Sequence, residues 1–495
     1  MSDPGSASLS KPSILPGWTR LPCTLALLGA LLLNFLVAER HDGQRCVELL
    51  LLAFCAATVI LRRGRIQASA AMGRTMRLSL SGFFTLGLAS AIAAWSLRHA
   101  LYEWSSLLLL ALLAFVVATE VGAAVGRHGD VVLLRILQAA GFACLLYALR
   151  VVLMYAAALA NGYQIDMHGL AVGFSNVRFL NHAQTALLPV LVLLALRAPE
   201  KGALRRIWFG LTAFWWALLY VSEARASVLA LAAGCAAVFL LRRHHARGFL
   251  RTMVMTAMVG GVVYAAAFIL LPVLAGLQPL GSAANLMART ASDPASGRQF
   301  LWARGWALIT AHPWLGAGPL HYAHYGAGDV QFAAHPHNWM FQFGAEWGMP
   351  ALACIVAVTG AGMRALLRAG RRIVAADFPK QQILVTFLAC IVAILVDGLF
   401  SGVFVMPQSR LAIVLVIGCA AGWVRSLDGQ AAPAQAPAPL VRHATAALAL
   451  AAACVLAWAV APDVVAHARQ APLNAAEAAA NQGMHWPRMW EAGFF

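Results

Sequence analysis

Residues 253–276 read MVMTAMVGGVVYAAAFILLPVLAG, 24 positions without one charged side chain. A helix needs roughly 20 apolar residues to cross a hydrocarbon core of ~30 Å, so this stretch is long enough to span a bilayer, and it is not alone. Further segments of the same kind lie at 22–38, 46–61, 78–97, 101–119, 131–149, 182–196, 207–221, 226–241, 349–363, 381–401, 411–424 and 443–461. Several are short, so 12–13 spans are expected. The predicted fold class is all-α: a polytopic integral membrane protein of 12–13 transmembrane helices with a helical periplasmic loop region. Composition excludes a soluble domain, since 61% of the 495 residues are hydrophobic, 11% are charged and mean hydropathy is +0.74. Lys11 and Arg20 precede the first segment as in a signal peptide, but Leu36-Val37-Ala38 is a poor small-residue cleavage site, and the segment reads as a retained span.

The net charge of +17 would suit a polyanion partner if the basic residues formed one patch. They fall instead in alternate connections: Arg62, Arg63, Arg65, Arg74 and Arg77; Arg197, Lys201, Arg205 and Arg206; Arg242, Arg243, Arg247 and Arg251; Arg364, Arg368, Arg371, Arg372 and Lys380. This is the positive-inside pattern. It makes those connections cytoplasmic, places 150–181, 222–225, 277–348 and 402–410 on the outer side, and removes the case for a nucleic-acid partner. The nine cysteines sit in or beside apolar segments with no CxxC spacing, so they read as small buried hydrophobes.

The chain divides into transmembrane helices 1–9 over 1–276 with the outer excursion 150–181, a long outer loop region at 277–348, which the family resemblance given below makes the periplasmic catalytic loop region, the remaining transmembrane helices at 349–461 and a C-terminal tail at 462–495. Within 277–348 the pattern Phe300-Leu301-Trp302…Trp306…Leu308 suits a helix lying along the interface. The tail carries Trp486, Trp490, Phe494 and Phe495, for which the sequence offers no role.

Polar groups concentrated at a membrane rim need a partner or a substrate. His335-Pro336-His337-Asn338-Trp339 begins such a cluster, and Glu346 follows nine residues after His337. An imidazole accepts a proton near neutral pH, so His337 is the candidate base. Asn338 is placed to orient it or to hold a substrate hydroxyl, with His335 and Glu346 as supporting groups. Arginines on the outer side run against the insertion bias. Arg225 lies in Ser222-Glu223-Ala224-Arg225, Arg298 follows Gly297, and Arg178 precedes Asn181 and Gln184. A guanidinium offers a planar donor fork to phosphate oxygens, and the two amides suit sugar hydroxyls or phosphate. Arg225, Arg298, Arg178, Asn338, Asn181 and Gln184 are therefore the candidate substrate-binding residues. Acidic residues in the long outer loop are few, chiefly Asp293, Asp329 and Glu346. They form no Asp-x-Asp arrangement for a divalent cation, so neither a metal site nor a cofactor is expected.

Taken in order, Ser222…Arg225-Ala226, Gly297-Arg298…Trp302…His312-Pro313…Gly316-Ala317-Gly318 and His335-Pro336-His337-Asn338…Glu346-Trp347-Gly348-Met349-Pro350 resemble the O-antigen ligase and O-antigen polymerase superfamily over about 182–350. The turn before Arg225 departs from the family in carrying Ala224 where a second serine is usual. Asn181-His182-Ala183-Gln184 is similar to the segment before a span in ligase-type members. The resemblance implies a glycosyltransferase of the bacterial inner membrane with its active site facing the periplasm. Its donor would be an undecaprenyl-pyrophosphate-linked glycan and its acceptor lipid A–core, the chain being embedded in membrane lipid. With Arg225 and Arg298 on the pyrophosphate and His337 on the acceptor hydroxyl, a metal-independent inverting displacement follows. Polymerase and protein O-oligosaccharyltransferase are the competing activities, and a lipid-linked oligosaccharide flippase is the non-enzyme alternative, for which Asp397 inside 381–401 is the one supporting feature.

Overall fold

A computed structural model of the chain describes residues 20–38, 40–62, 72–281, 291, 297–326, 333–427, 439–468 and 488–490. Among the described residues the secondary structure is helical throughout, and ten helices are long and apolar enough to cross a membrane: Arg40–Leu61, Arg74–Ala93, Leu97–His128, Asp130–Ala160, Val177–Arg197, Arg225–Leu274, Met349–Arg372, Phe378–Asp397, Pro407–Leu427 and Pro439–Ala466. The protein is an all-α polytopic membrane protein. Pro22–Leu36 and Ala203–Val221 fill the remaining places in the bundle.

The 50-residue element Arg225–Leu274 accounts for two of the expected segments. At ~1.5 Å per residue it would be about 75 Å long, more than twice a hydrocarbon core. It breaks at Arg242, whose φ of −142° and ψ of 31° are not helical. Tyr220 Oη, near the end of Ala203–Val221, donates to Ala257 O at 3.1 Å, so residues about 257 return to the end of the bundle from which Arg225 set out. The chain therefore crosses, turns in the basic stretch after Arg242 and crosses back. Counted this way, each of the thirteen expected segments falls on a helix among the described residues.

Caps and small residues fix the helices locally. Asn176 accepts from Arg178 N at 2.9 Å to start Val177–Arg197, and Asp377 accepts from Lys380 N at 3.2 Å to start Phe378–Asp397, each satisfying a backbone donor that a helix start leaves unpaired. Without a hydrophobic drive between helices in lipid, close approach depends on small side chains. At Gly234 a Cβ would stand 2.7 Å from Ala389 O, and at Gly422 2.7 Å from Ala118 O, so both helix pairs need a bare α-carbon.

The segments expected on the outer side converge at one end of this bundle. Arg40 N donates to Gly173 O at 3.0 Å and Trp339 N to Gly398 O at 2.9 Å; Ser96 N donates to His321 Nε2 at 2.9 Å and Ser90 Oγ to Glu346 O at 2.9 Å. The long excursion is thus bound to the bundle. Its helix Arg298–Ala311 buries Leu301, Leu308 and Ile309 and leaves Phe300 and Trp306 exposed, so apolar side chains lie on both faces and the one-sided pattern expected of an interfacial helix is not formed.

Candidate active site

Four helices begin at this end, each with a candidate residue at its start. Arg178 is the second residue of Val177–Arg197, Arg225 the first of Arg225–Tyr264, Arg298 the first of Arg298–Ala311, and Asn338 caps Trp339–Trp347 directly after His337. None of the four has an acidic residue in its first turn. Helix N-termini carry a partial positive charge and unpaired N–H groups, which makes them anion sites. Three arginines at such starts compound a charge they would otherwise avoid.

These starts are held together. Arg178 Nη1 donates to Glu223 O at 3.2 Å, joining the first helix to the Ser222–Arg225 turn, where Glu223 sits at φ 52°. Asn181 Nδ2 donates to Ser222 Oγ at 2.9 Å and to Gln184 Oε1 at 2.8 Å, and Gln184 Nε2 donates to Trp215 O at 2.8 Å. Both amides are buried. Their donors brace the turn that presents Arg225 from inside the bundle.

His337 lies half-buried at φ 52°, a left-handed conformation uncommon for a residue with a Cβ. Such strain persists where the surroundings impose it. Its N–H donates to His335 Nδ1 at 3.3 Å, and the two rings stand 4.1 Å apart between centroids. His335 is in turn wedged against Gly402, where a Cβ would come 2.7 Å from its Cε1. Asn338 Oδ1 accepts from Met340 N at 2.9 Å and Phe341 N at 3.2 Å, so its amide oxygen is committed to capping and only the amide nitrogen is left for a substrate hydroxyl.

Burial pushes the His337 pKa down to about 3, with the guanidinium charges of Arg298 and Arg178 acting in the same direction. Two of the candidate arginines therefore bear on the candidate base. His335 is held well below the ordinary histidine range, chiefly by burial and then by His337. Burial thus favours the neutral form of both imidazoles, the form that can take a proton, while weakening their hold on it.

Glu346 stands apart from these groups. Its Oε2 accepts from Arg488 Nη2 at 2.6 Å and its Oε1 from Tyr322 N at 3.1 Å, fully buried. Burial raises its pKa to about 7, against the opposing pull of Arg488. It ties Arg488 to the backbone of the loop at Tyr322. Asp293 and Asp329 lie outside the described residues, and among those described no group of three His, Cys, Asp or Glu side chains is placed to hold a metal ion.

The structure adds residues that sequence reasoning did not place in the site. His182 Nδ1 is 3.9 Å from Asp397 Oδ2, and the same oxygen accepts from Thr185 Oγ1 at 2.8 Å and Ser227 Oγ at 3.5 Å. The signal for Asp397 was present in the sequence as an ionisable group within an apolar segment, which is functional by default. Arg488 had no such signal.

Residues 208–356 match the family model described as O-antigen ligase. No curated protein matches the chain. The matched stretch holds Arg225, Arg298, His335, His337, Asn338 and Glu346.

Proposed function

We propose that this chain, built around an O-antigen ligase domain at 208–356, is the ligase itself: it moves O-antigen from undecaprenyl pyrophosphate to lipid A–core on the periplasmic face of the bacterial inner membrane. The observation that carries this reading is the gathering at one end of the bundle of the helix starts that bear Arg178, Arg225, Arg298 and His337-Asn338, with Arg178 Nη1 bound to Glu223 O of the Arg225 turn at 3.2 Å. Glycosyl transfer from a lipid pyrophosphate needs a cationic cradle for the leaving group and a base for the incoming hydroxyl, side by side.

In the proposed step the acceptor hydroxyl oxygen attacks the anomeric carbon as its proton passes to His337. The bond from that carbon to the pyrophosphate oxygen breaks on the opposite side, with inversion, and undecaprenyl pyrophosphate departs carrying the electron pair. Arg178, Arg225 and Arg298 hold its oxygens with the helix N-termini behind them. The pyrophosphate also offsets the positive charge that depresses the His337 pKa, so donor binding makes the base stronger. The segment around Asn181 and Gln184, similar to ligase-type members, favours ligase over polymerase.

The test is a strain lacking the gene, examined by lipopolysaccharide gel. Loss of the ladder with intact lipid A–core and accumulated lipid-linked long polymer is expected, and a single-repeat band would point to a polymerase instead. Complementation with His337→Ala should leave the defect in place, because loss of a general base costs about 10²–10⁴ in rate. A restored ladder from a normally inserted His337→Ala protein would remove His337 from this role.

A further inference from the structure

The short C-terminal segment Arg488–Trp490 is built into the site end of the bundle. Arg488 is 2% exposed and Met489 5%. The Arg488 guanidinium binds Glu346 Oε2 at 2.6 Å, approaches Glu103 Oε1 at 3.8 Å and reaches Ala334 O at 3.5 Å. Its backbone is gripped as firmly: Arg45 donates to Arg488 O at 2.9 Å and to Met489 O at 3.2 Å, while a third donor from Arg45 reaches Val405 O at 2.9 Å. Trp490 Nε1 donates to Asp463 Oδ2 at 3.0 Å, and Arg98 pairs with the same carboxylate at 2.8 Å.

These contacts bracket the candidate base. Ala334 immediately precedes His335, and Glu346 lies in the last turn of the helix Trp339–Trp347 that Asn338 caps, so one side chain holds both ends of the 334–346 segment. The backbone of Glu346 adds to this, accepting from Gly318 N at 3.0 Å and Ser90 Oγ at 2.9 Å. His337 itself sits between the two fixed ends in a left-handed conformation that its neighbours must impose.

We propose that Arg488 is a positioning residue for the transfer, clamping Ala334 and Glu346 so that the intervening segment presents His337 to the arginine cradle. This rests on the reading of His337 as the base. Arg488 does not touch substrate; it acts through Glu346 and the backbone before His335. A displaced base loses rate far more than it loses donor affinity, because Arg178, Arg225 and Arg298 stand on other helices.

The experiment compares Arg488→Gln, Arg488→Lys and the double variant Glu346→Gln/Arg488→Gln as full-length protein in detergent, with polyprenyl-pyrophosphate-linked glycan as donor. Hydrogen–deuterium exchange over 334–347 is followed in parallel. Expected for Arg488→Gln is a fall in kcat on the order of 10²-fold, as for a small misplacement of a reacting group, with donor KM little changed and faster exchange confined to 334–347. Arg488→Lys, which keeps the charge, should recover part of the kcat. Should the single variant fail to insert, the double variant, which leaves no unpaired charge on Glu346, carries the same comparison. A kcat within about twofold of wild type, or a loss that only tracks the fraction of folded protein, overturns the proposal. Failure of the wild-type protein to transfer glycan would sink the ligase reading instead, and the exchange measurement, which needs no substrate, then decides the clamp: unchanged exchange over 334–347 overturns it.

Discussion

His182 Nδ1 stands 3.9 Å from Asp397 Oδ2, and both groups are buried. The same carboxylate oxygen accepts from Thr185 and Ser227. One side chain thereby ties together the helices Val177–Arg197, Arg225–Tyr264 and Phe378–Asp397, two of which begin with Arg178 and Arg225. The spacing of two cradle arginines is set from inside the bundle.

Replacing Asp397 tests that tie. Asp397→Asn keeps an oxygen that can accept from Thr185 and Ser227, whereas Asp397→Leu removes the acceptor that joins the helices and leaves Thr185 only the backbone acceptor Asn181 O of its own helix, a loss of about 0.5–1.5 kcal/mol for each hydrogen bond. Thermal unfolding in detergent should rank wild type above Asn and Asn above Leu. Equal stability of the Leu variant and wild type would mean the carboxylate binds nothing of consequence.

The pH dependence follows from the depressed pKa of His337. A base works when deprotonated, so activity is present above its pKa and lost as pH falls through it. In the free enzyme that value is pushed down to about 3 by burial and by Arg298 and Arg178, and kcat/KM, which reports the free enzyme, should hold through pH 6.5 and well below. Bound pyrophosphate offsets the two guanidinium charges, so the acid limb of kcat, which reports the complex, should lie at higher pH. Steady-state profiles with superimposed limbs would show that the donor does not reach His337.

The fold was legible because apolar length survives any tertiary context: all thirteen segments are helical, and even the turn at Arg242 coincides with a basic connection. Arg178, Arg298 and His337 stood out in the sequence as polar groups on the expected outer side, and the structure sets each at or just before a helix start. The contacts of Asn181 and Gln184 were not legible, because a polar pair before a span gives no sign of whether its donors face outward or, as here, back toward Ser222 and Trp215. Arg488 was invisible, its partner Glu346 lying 142 positions earlier in the chain, with no local pattern to connect them.

Transfer should survive chelation. The cradle presents arginines and helix starts to the pyrophosphate, which supply the charge that a divalent ion gives other transferases, and the acidic residue nearest in sequence, Glu346, is taken up by Arg488 and the Tyr322 backbone. Full activity of the purified protein in EDTA is expected. Inactivation by EDTA that Mg²⁺ or Mn²⁺ alone reverses would return Asp293 and Asp329 to the argument as ligands.

The cradle itself is tested by separating the charge of its arginines from their shape. A guanidinium offers paired, coplanar donors to two phosphate oxygens, while an ammonium offers a point charge. If Arg225 and Arg298 grip the donor through such forks, Arg225→Lys and Arg298→Lys should each lose activity sharply although the local charge is unchanged. Arg298→Lys carries a second signature, since its charge still bears on His337: the acid limb of kcat/KM should stay near its wild-type position while the rate falls. Donor binding is to be measured apart from transfer, on variants that insert normally, because moving basic residues can alter topology. Lys variants that bind the polyprenyl-pyrophosphate glycan and transfer it like wild type would reduce both arginines to anchors for lipid phosphate.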